Sequence, residues 1–285
     1  ASGADIVIES AGPGAMDALG LGYDALSAVN PALIMVSISA FGSTGPKADW
    51  AATDVTIMAS GGQMALAGDA DRAPLRIPLP QAYFHASAEG AGAALIALYE
   101  RQHHSGVGQH IDISAQQSTL QASQSNMIST AVGAPPANRS AGGVTISGID
   151  VQLMWPCADG YMSVTFLFGT ALGPFSRRLM EWVCEEGFCD EATRDKDWLN
   201  YGELIFSGEE PLSEYERVKK VLGEFFATRT KAELFAEAFE RRLLFAPVTT
   251  AQDVADNPHL AAREVWEDID VGGRVVRFPG RMALF

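Results

Sequence analysis

Just ahead of a run of small residues, Gly90 to Ala94, the chain reads Gln81-Ala82-Tyr83-Phe84-His85. A phenol and an imidazole at the mouth of a helix are residue types that hold or move protons. As a residue type a phenol keeps its proton at neutral pH, while an imidazole can exchange one. A lone His beside aromatics is also commonly a hydrogen-bonded core residue, and Tyr83 reads equally as an aromatic packed at a helix start. Upstream, Asp54 in ATDVTIMASGG offers an ionised oxygen able to act as nucleophile or base, and at a helix start it is also a good N-cap. Glu89 lies nearly two helical turns beyond Tyr83 and reads as a surface or interface charge. Earlier still, ESAGPG places Glu9, Ser10, Gly12, Pro13 and Gly14 in a turn whose backbone N–H groups are open to a phosphate, although GPG alone is more often just a turn.

These residues need a scaffold. Asp5 to Glu9 (DIVIE) and Leu33 to Ser39 (LIMVSIS) are short apolar runs of the kind that form buried parallel strands, with a turn and a helical pattern between them. Strand, helix, strand over this distance is a βαβ unit. Residues 83–103 read as a helix, and its small residues leave room for another backbone to pack close. His110 to Ser114 (HIDIS) reads as a strand, 115–131 as one polar helix and 135–148 as loop. Farther on, 151–166 reads as a hairpin turning at Asp159-Gly160. Helices follow at 172–187, 191–205, 212–227 with Ser213 as N-cap, and 230–242 with a Thr230/Glu233 capping box. A helix at 251–264 and a hairpin through DIDVGGRVVRFPG close the chain.

Composition narrows the function. The 285 residues are 47% hydrophobic, enough for a sizeable core. A net charge of −15 argues against nucleic acid and anionic membranes, which need a basic face. Cys157, Cys184 and Cys189 form no CxxC pair, so neither a disulfide scaffold nor a zinc site is expected, and a reducing cytoplasm is the plain reading. No apolar run is long enough to span a bilayer.

Five segments occur in a fixed order: ADIVIESAGPGAMDALGLGYDALSAVNPALIMVSISAFGSTGP, SGVGQHIDIS, CADGYMSV, FAPVTTAQDVADNPHLAAREVW and the closing FPG. Together they resemble the class III CoA-transferases, the family of formyl-CoA transferase, carnitine CoA-transferase and the α-methylacyl-CoA racemases, over nearly the whole chain. The resemblance implies an α/β protein in which a large Rossmann-like domain is linked to a smaller α+β domain, two chains interlocking as a dimer. On that pattern residues 1–132 are a partial large domain, 133–149 a linker, 150–250 the small domain, and 251–285 a segment returning to the large domain. Relatives carry a further N-terminal segment, so the sequence reads as N-terminally truncated. The apolar sheet edges this would uncover predict poor solubility in isolation.

In the resembled transferases an aspartate attacks the acyl-CoA thioester, forms a mixed anhydride, and then becomes an aspartyl-CoA thioester that hands CoA to an acceptor acid. An ionised carboxylate suits both steps. Without gaps, PQAYFHAS sets Tyr83 at that position, and a protonated phenol cannot form the anhydride. Asp54, Tyr83 and His85 are therefore the catalytic candidates. Racemase chemistry is disfavoured, because Thr53 stands where the racemases have a histidine and their downstream aspartate is absent. The candidates for CoA contact are Glu9, Ser10, Gly12, Pro13, Gly14 and Ser39. Against the family's ENFRPG turn, Ser10, Ala11 and Gly12 replace Asn, Phe and Arg, and Ala18 stands where a basic residue is common. NRSAGGVTISG matches a glycine-rich lid, with an ordinary linker the competing reading.

The expected substrates are coenzyme A or an acyl-CoA and a small carboxylic acid, without metal, nucleic acid or membrane. The expected assembly is a homodimer, or a heterodimer with a related catalytic subunit. Three functions fit: a CoA-transferase with an unusual site at Asp54, Tyr83 and His85; the non-catalytic subunit of a heteromeric transferase; or a ligand-binding or scaffold protein that kept the fold and lost the chemistry. Loss of both the nucleophile and the CoA-contact turn favours the second.

Overall fold

The computed structural model describes residues 2–134, 136–146 and 148–281. The chain is mixed α/β and divides into two compact units, Ala1–Ala141 and Gly142–Phe285, each with its own apolar core.

In the first unit, β1 (Ile6–Glu9), β2 (Ile34–Ser39) and β3 (His110–Ser114) form a parallel sheet with β2 in the centre. Central position explains the apolar start of β2: Ile34, Met35 and Val36 are all buried. Two short helices, α1 (Ala15–Ala18) and α2 (Tyr23–Val29), join β1 to β2. The return from β2 to β3 runs through α3 (Asp54–Ser60) and the long helix α4 (Ala82–Glu100). Buried Ala82, Ala86, Gly90, Ala94 and Ala97 recur every three or four residues, so one narrow stripe of α4 faces the sheet. At the closest approach, a Cβ on Gly90 would stand 3.4 Å from side-chain atoms of both Val36 and Ile38. The two faces of the sheet differ. Alternation sends Ile34, Val36 and Ile113 toward the core shared with α4, and leaves Ser37, Ser39, His110 and Asp112 on the opposite face.

The region expected to be one helix at 115–131 is two, α5 (Ala115–Gln121) and α6 (Gln124–Ala131). Ser123 explains the break, because its N–H and its hydroxyl both turn back onto the Leu120 carbonyl, drawing it out of the helical ladder.

The second unit begins with a hairpin, β4 (Gly143–Ile146) with β5 (Ile149–Gln152), where loop was expected. Next come β6 (Met154–Cys157) and β7 (Gly160–Val164), which turn at Asp159-Gly160 as the sequence predicts. Helix α7 (Gly173–Glu185) follows, and the expected helix at 191–205 is two short pieces, α8 (Glu191–Arg194) and α9 (Tyr201–Ser207). After α10 (Leu212–Ala227) and α11 (Lys231–Glu240), β8 (Phe245–Pro247) adds antiparallel to β7. Pro211, not Ser213, is the N-cap of α10, while Thr230 and Glu233 form the expected capping box on α11. The core is strongly aromatic, with Trp155, Phe166, Trp182, Trp198, Tyr201, Tyr215, Phe225 and Phe226 all buried. Asn257-Pro258 splits the expected helix at 251–264 into α12 (Ala251–Ala255) and α13 (Pro258–Ala262), Asn257 capping the second through its side chain. The hairpin β9 (Trp266–Val271) and β10 (Arg274–Pro279) follows.

Candidate functional site

Ligands of open parallel sheets bind beyond the carboxyl ends of the strands. In the first unit a cavity of about 200 Å³ lies over the polar face of the sheet and reaches those ends, lined also by the turn after β1 and by α2. Gly12 and Gly14 sit at φ +95° and +72°, a conformation L side chains rarely adopt, which is why this turn is glycine-rich. The Glu9 carboxylate accepts from the Ala11 N–H at 2.7 Å and closes the turn.

The floor of the cavity is tied together by polar contacts. Tyr23 stacks on His110 with ring centroids 5.2 Å apart and planes 14° from parallel, while its hydroxyl donates to the Gly108 carbonyl at 3.1 Å. Ser37 Oγ lies 2.9 Å from His110 Nε2. Asp112 accepts from the Ser43 N–H at 2.9 Å and the Ser43 hydroxyl at 2.7 Å, pinning the loop that follows β2. Ser39 also lines the cavity, and its hydroxyl oxygen is buried and without a partner among the described residues. Four acidic residues, Glu9, Asp17, Asp24 and Asp112, line this space, and no Lys or Arg is among its described lining residues. Such a site offers backbone donors and hydroxyls to a ligand, with no Lys or Arg among the described lining residues to neutralise a diphosphate.

Of the six residues expected to contact a cofactor, Glu9, Gly12, Pro13, Gly14 and Ser39 line this one cavity, and Ser10 does not. Sequence reasoning missed Tyr23, Ser37, His110 and Asp112. The signal was present: polar residues at alternate positions of SIS and HIDIS must share one sheet face.

A second cluster gathers where α3 meets the start of α4. Asp54 Oδ1 accepts from the Ala82 N–H at 2.8 Å. The N-cap of α3 is Thr53, in a capping box with Thr56, so Asp54 serves the neighbouring helix instead of its own. Tyr83 follows Ala82 directly and is 40% exposed, His85 is half-buried, and Phe84 between them is 67% exposed. One and a half turns onward, Glu89 accepts from the hydroxyl of buried Ser118, tying α4 to α5. Among the described residues no cluster of three His, Cys, Asp or Glu side chains could hold a metal ion, and no helix is long and apolar enough to cross a membrane.

The profile of CoA-transferase family III matches residues 1–285. Over 294 aligned residues the chain is 33% identical to the succinyl-CoA:(R)-benzylsuccinate CoA-transferase subunit BbsE of Thauera aromatica, covering 98% of this chain and 66% of that protein. It is 41% identical over 116 residues to the succinyl-CoA–D-citramalate CoA-transferase of Chloroflexus aurantiacus, covering 41% of this chain and 29% of that enzyme. A crystal structure of a CaiB/BaiF family protein from Brucella suis superposes with a TM-score of 0.76 at 26% identity, over 94% of this chain and 66% of the other. The chain belongs to CoA-transferase family III. It spans just under two thirds of the length of BbsE, and less of the citramalate enzyme.

Proposed function

We propose that this chain is part of an acyl-CoA:carboxylate CoA-transferase and serves as its non-catalytic subunit, a related chain supplying the nucleophile. One observation carries this reading: Tyr83 occupies the start of α4, where the family resemblance puts the nucleophilic aspartate. Attack by a carboxylate oxygen on the thioester carbon expels the CoA thiolate and leaves a mixed anhydride. The thiolate then attacks the enzyme's own acyl carbon and releases the donor acid. A phenol has no acyl carbon to receive the thiolate, so the second step has no place on Tyr83. That no Lys or Arg is among the described residues lining the cavity at the strand ends points the same way, because a CoA diphosphate there needs further partners. BbsE, a third identical to this chain, is itself named a subunit.

On this reading the first unit is part of a Rossmann-like large domain and the second includes a smaller α+β domain, the assembly is a dimer of related chains, and the setting is cytoplasmic. Asp54, Tyr83 and His85 flank the reacting centre, and the Glu9–Gly14 turn with Ser39 holds the neutral portion of the CoA.

The test is CoA exchange among a panel of acids by the full-length protein, alone and co-expressed with a related subunit carrying the aspartate. Activity that needs the partner, and is lost only when the partner's aspartate is changed, supports the proposal. Transfer by this chain alone overturns it. No transfer in either state leaves the fold to a ligand-binding or scaffold role and also overturns it. Tyr83→Asp then asks whether the nucleophile is all that is missing: gain of transfer by this chain alone answers yes.

A further inference from the structure

The second unit contains an open cavity of about 280 Å³, lined by residues of β4 and β5, of the loop after β7 and of α9. Among the described residues its lining is apolar except for the exposed Glu203. Phe168 forms one wall and is held from behind by four rings: edge-on to Phe166, Tyr201 and Tyr215 at 5.0–5.8 Å, and stacked on Trp198 at 6.3 Å. That wall is pre-formed. Opposite it, the apolar rings and chains at the mouth remain open to solvent, Phe206 at 56% and Ile146 at 45% exposure. Gly202 keeps the interior open without relieving any clash, since a Cβ there would meet Phe168 at an ordinary 3.7 Å.

We propose that this cavity binds a single aromatic ring that carries no negative charge. Size argues for a small molecule over a protein segment, because the volume falls at the lower end of ligand pockets and far below a protein interface. Shape argues for a ring: the fixed edge and face of Phe168 offer the edge-to-face and offset contacts that aromatic pairs favour. Charge disfavours the anion, because Glu203 is the one acidic side chain among the described lining residues and a carboxylate at the rim would meet it. The site lies wholly within the second unit and does not rest on the CoA-transfer reading.

Ligand-observed ¹⁹F NMR with the full-length protein tests it, using 4-fluorotoluene as the neutral probe and 4-fluorophenylacetate as the anionic one. Saturable broadening of 4-fluorotoluene is expected, with Gly202→Leu abolishing it by filling the space. The anion is expected to bind about fivefold more weakly, and Glu203→Gln to close that gap. Absence of saturable binding by the wild type overturns the proposal. So does unchanged binding by a Gly202→Leu protein whose circular dichroism and melting match the wild type. Should that variant not fold, Phe206→Ala at the exposed mouth replaces it, with weakened 4-fluorotoluene binding expected and unchanged binding overturning the site.

Discussion

Asp54 and Ala82 stand 28 residues apart in the chain and are joined by a 2.8 Å hydrogen bond from the Ala82 N–H to Asp54 Oδ1. The bond places a carboxylate against the first turn of α4, where orphan N–H groups and the helix dipole favour negative charge. It also brings Asp54 to within one residue of Tyr83, so two of the candidate catalytic positions share a single structural joint.

Removing that carboxylate is expected to cost what a lost helix cap costs, about 1 kcal/mol for Asp54→Ala, with Asp54→Asn losing less. Urea unfolding of the two variants measures it. A variant as stable as the wild type contradicts the capping role, and frees Asp54 to be a chemical group.

Gly90 is expected to behave differently toward small and large replacements. A Cβ at this position would meet Val36 and Ile38 at 3.4 Å and Ile113 at 3.7 Å, which is contact without overlap. Gly90→Ala therefore gains helix propensity and is expected to stabilise by about 0.5–1 kcal/mol. Gly90→Leu drives a branched chain into the sheet, with an expected cost of about 1–3 kcal/mol. Thermal melts of the two variants moving in the same direction contradict this packing.

What the sequence made legible was local. The Thr230/Glu233 box and the Asp159-Gly160 turn depend on residues three apart or adjacent, and both stand in the structure as read. The β4–β5 hairpin escaped because Gly142, Gly143 and Gly148 give it the composition of a loop. Yet Gly143 is held tightly, and a Cβ there would sit 2.4 Å from the Val151 carbonyl oxygen. The cap that Asp54 gives Ala82 reaches across 28 residues, and no spacing rule reports it. Likewise the cavity at the strand ends draws on turn, helix and two strands. Its Glu9–Gly14 rim could be singled out in advance, whereas His110 and Tyr23 meet only once β3 lies beside β2.

In the second unit, Asp253 accepts from Lys231 Nζ at 2.6 Å and from the Thr250 N–H at 2.8 Å, and these bonds lower its pKa to about 2. The same salt bridge raises Lys231 above its ordinary value. A depressed carboxyl gives stability that is full above its unfolded pKa, near 3.9, and is lost as pH falls through about 2. A raised ammonium gives stability present below its unfolded pKa, near 10.4, and lost as pH rises through the higher folded value. Wild type is therefore expected to be more stable than Asp253→Asn between about pH 4 and 10, with the gap narrowing at both ends. A gap that persists unchanged at pH 2 contradicts the assignment.

The carboxylates around the cavity at the strand ends make a prediction that separates the phosphates of CoA from the rest of it. Asp24 lies in the first turn of α2 and lines the cavity, whose lining includes Glu9, Asp17 and Asp112 but no Lys or Arg. Asp24→Lys exchanges a repelling charge for an attracting one, at the modest cost of a cation near a helix N-terminus. If CoA lies here with its phosphates unpaired by this chain, the variant is expected to bind CoA about tenfold more tightly at low ionic strength. High salt should erase most of that gain, because exposed charges are screened. Adenosine, which presents base and ribose without phosphate, is expected to bind both proteins alike. Isothermal titration with the two ligands at low and high salt measures all three. An equal gain for adenosine puts the effect in the shape of the cavity, and an unchanged CoA affinity places the phosphates away from α2.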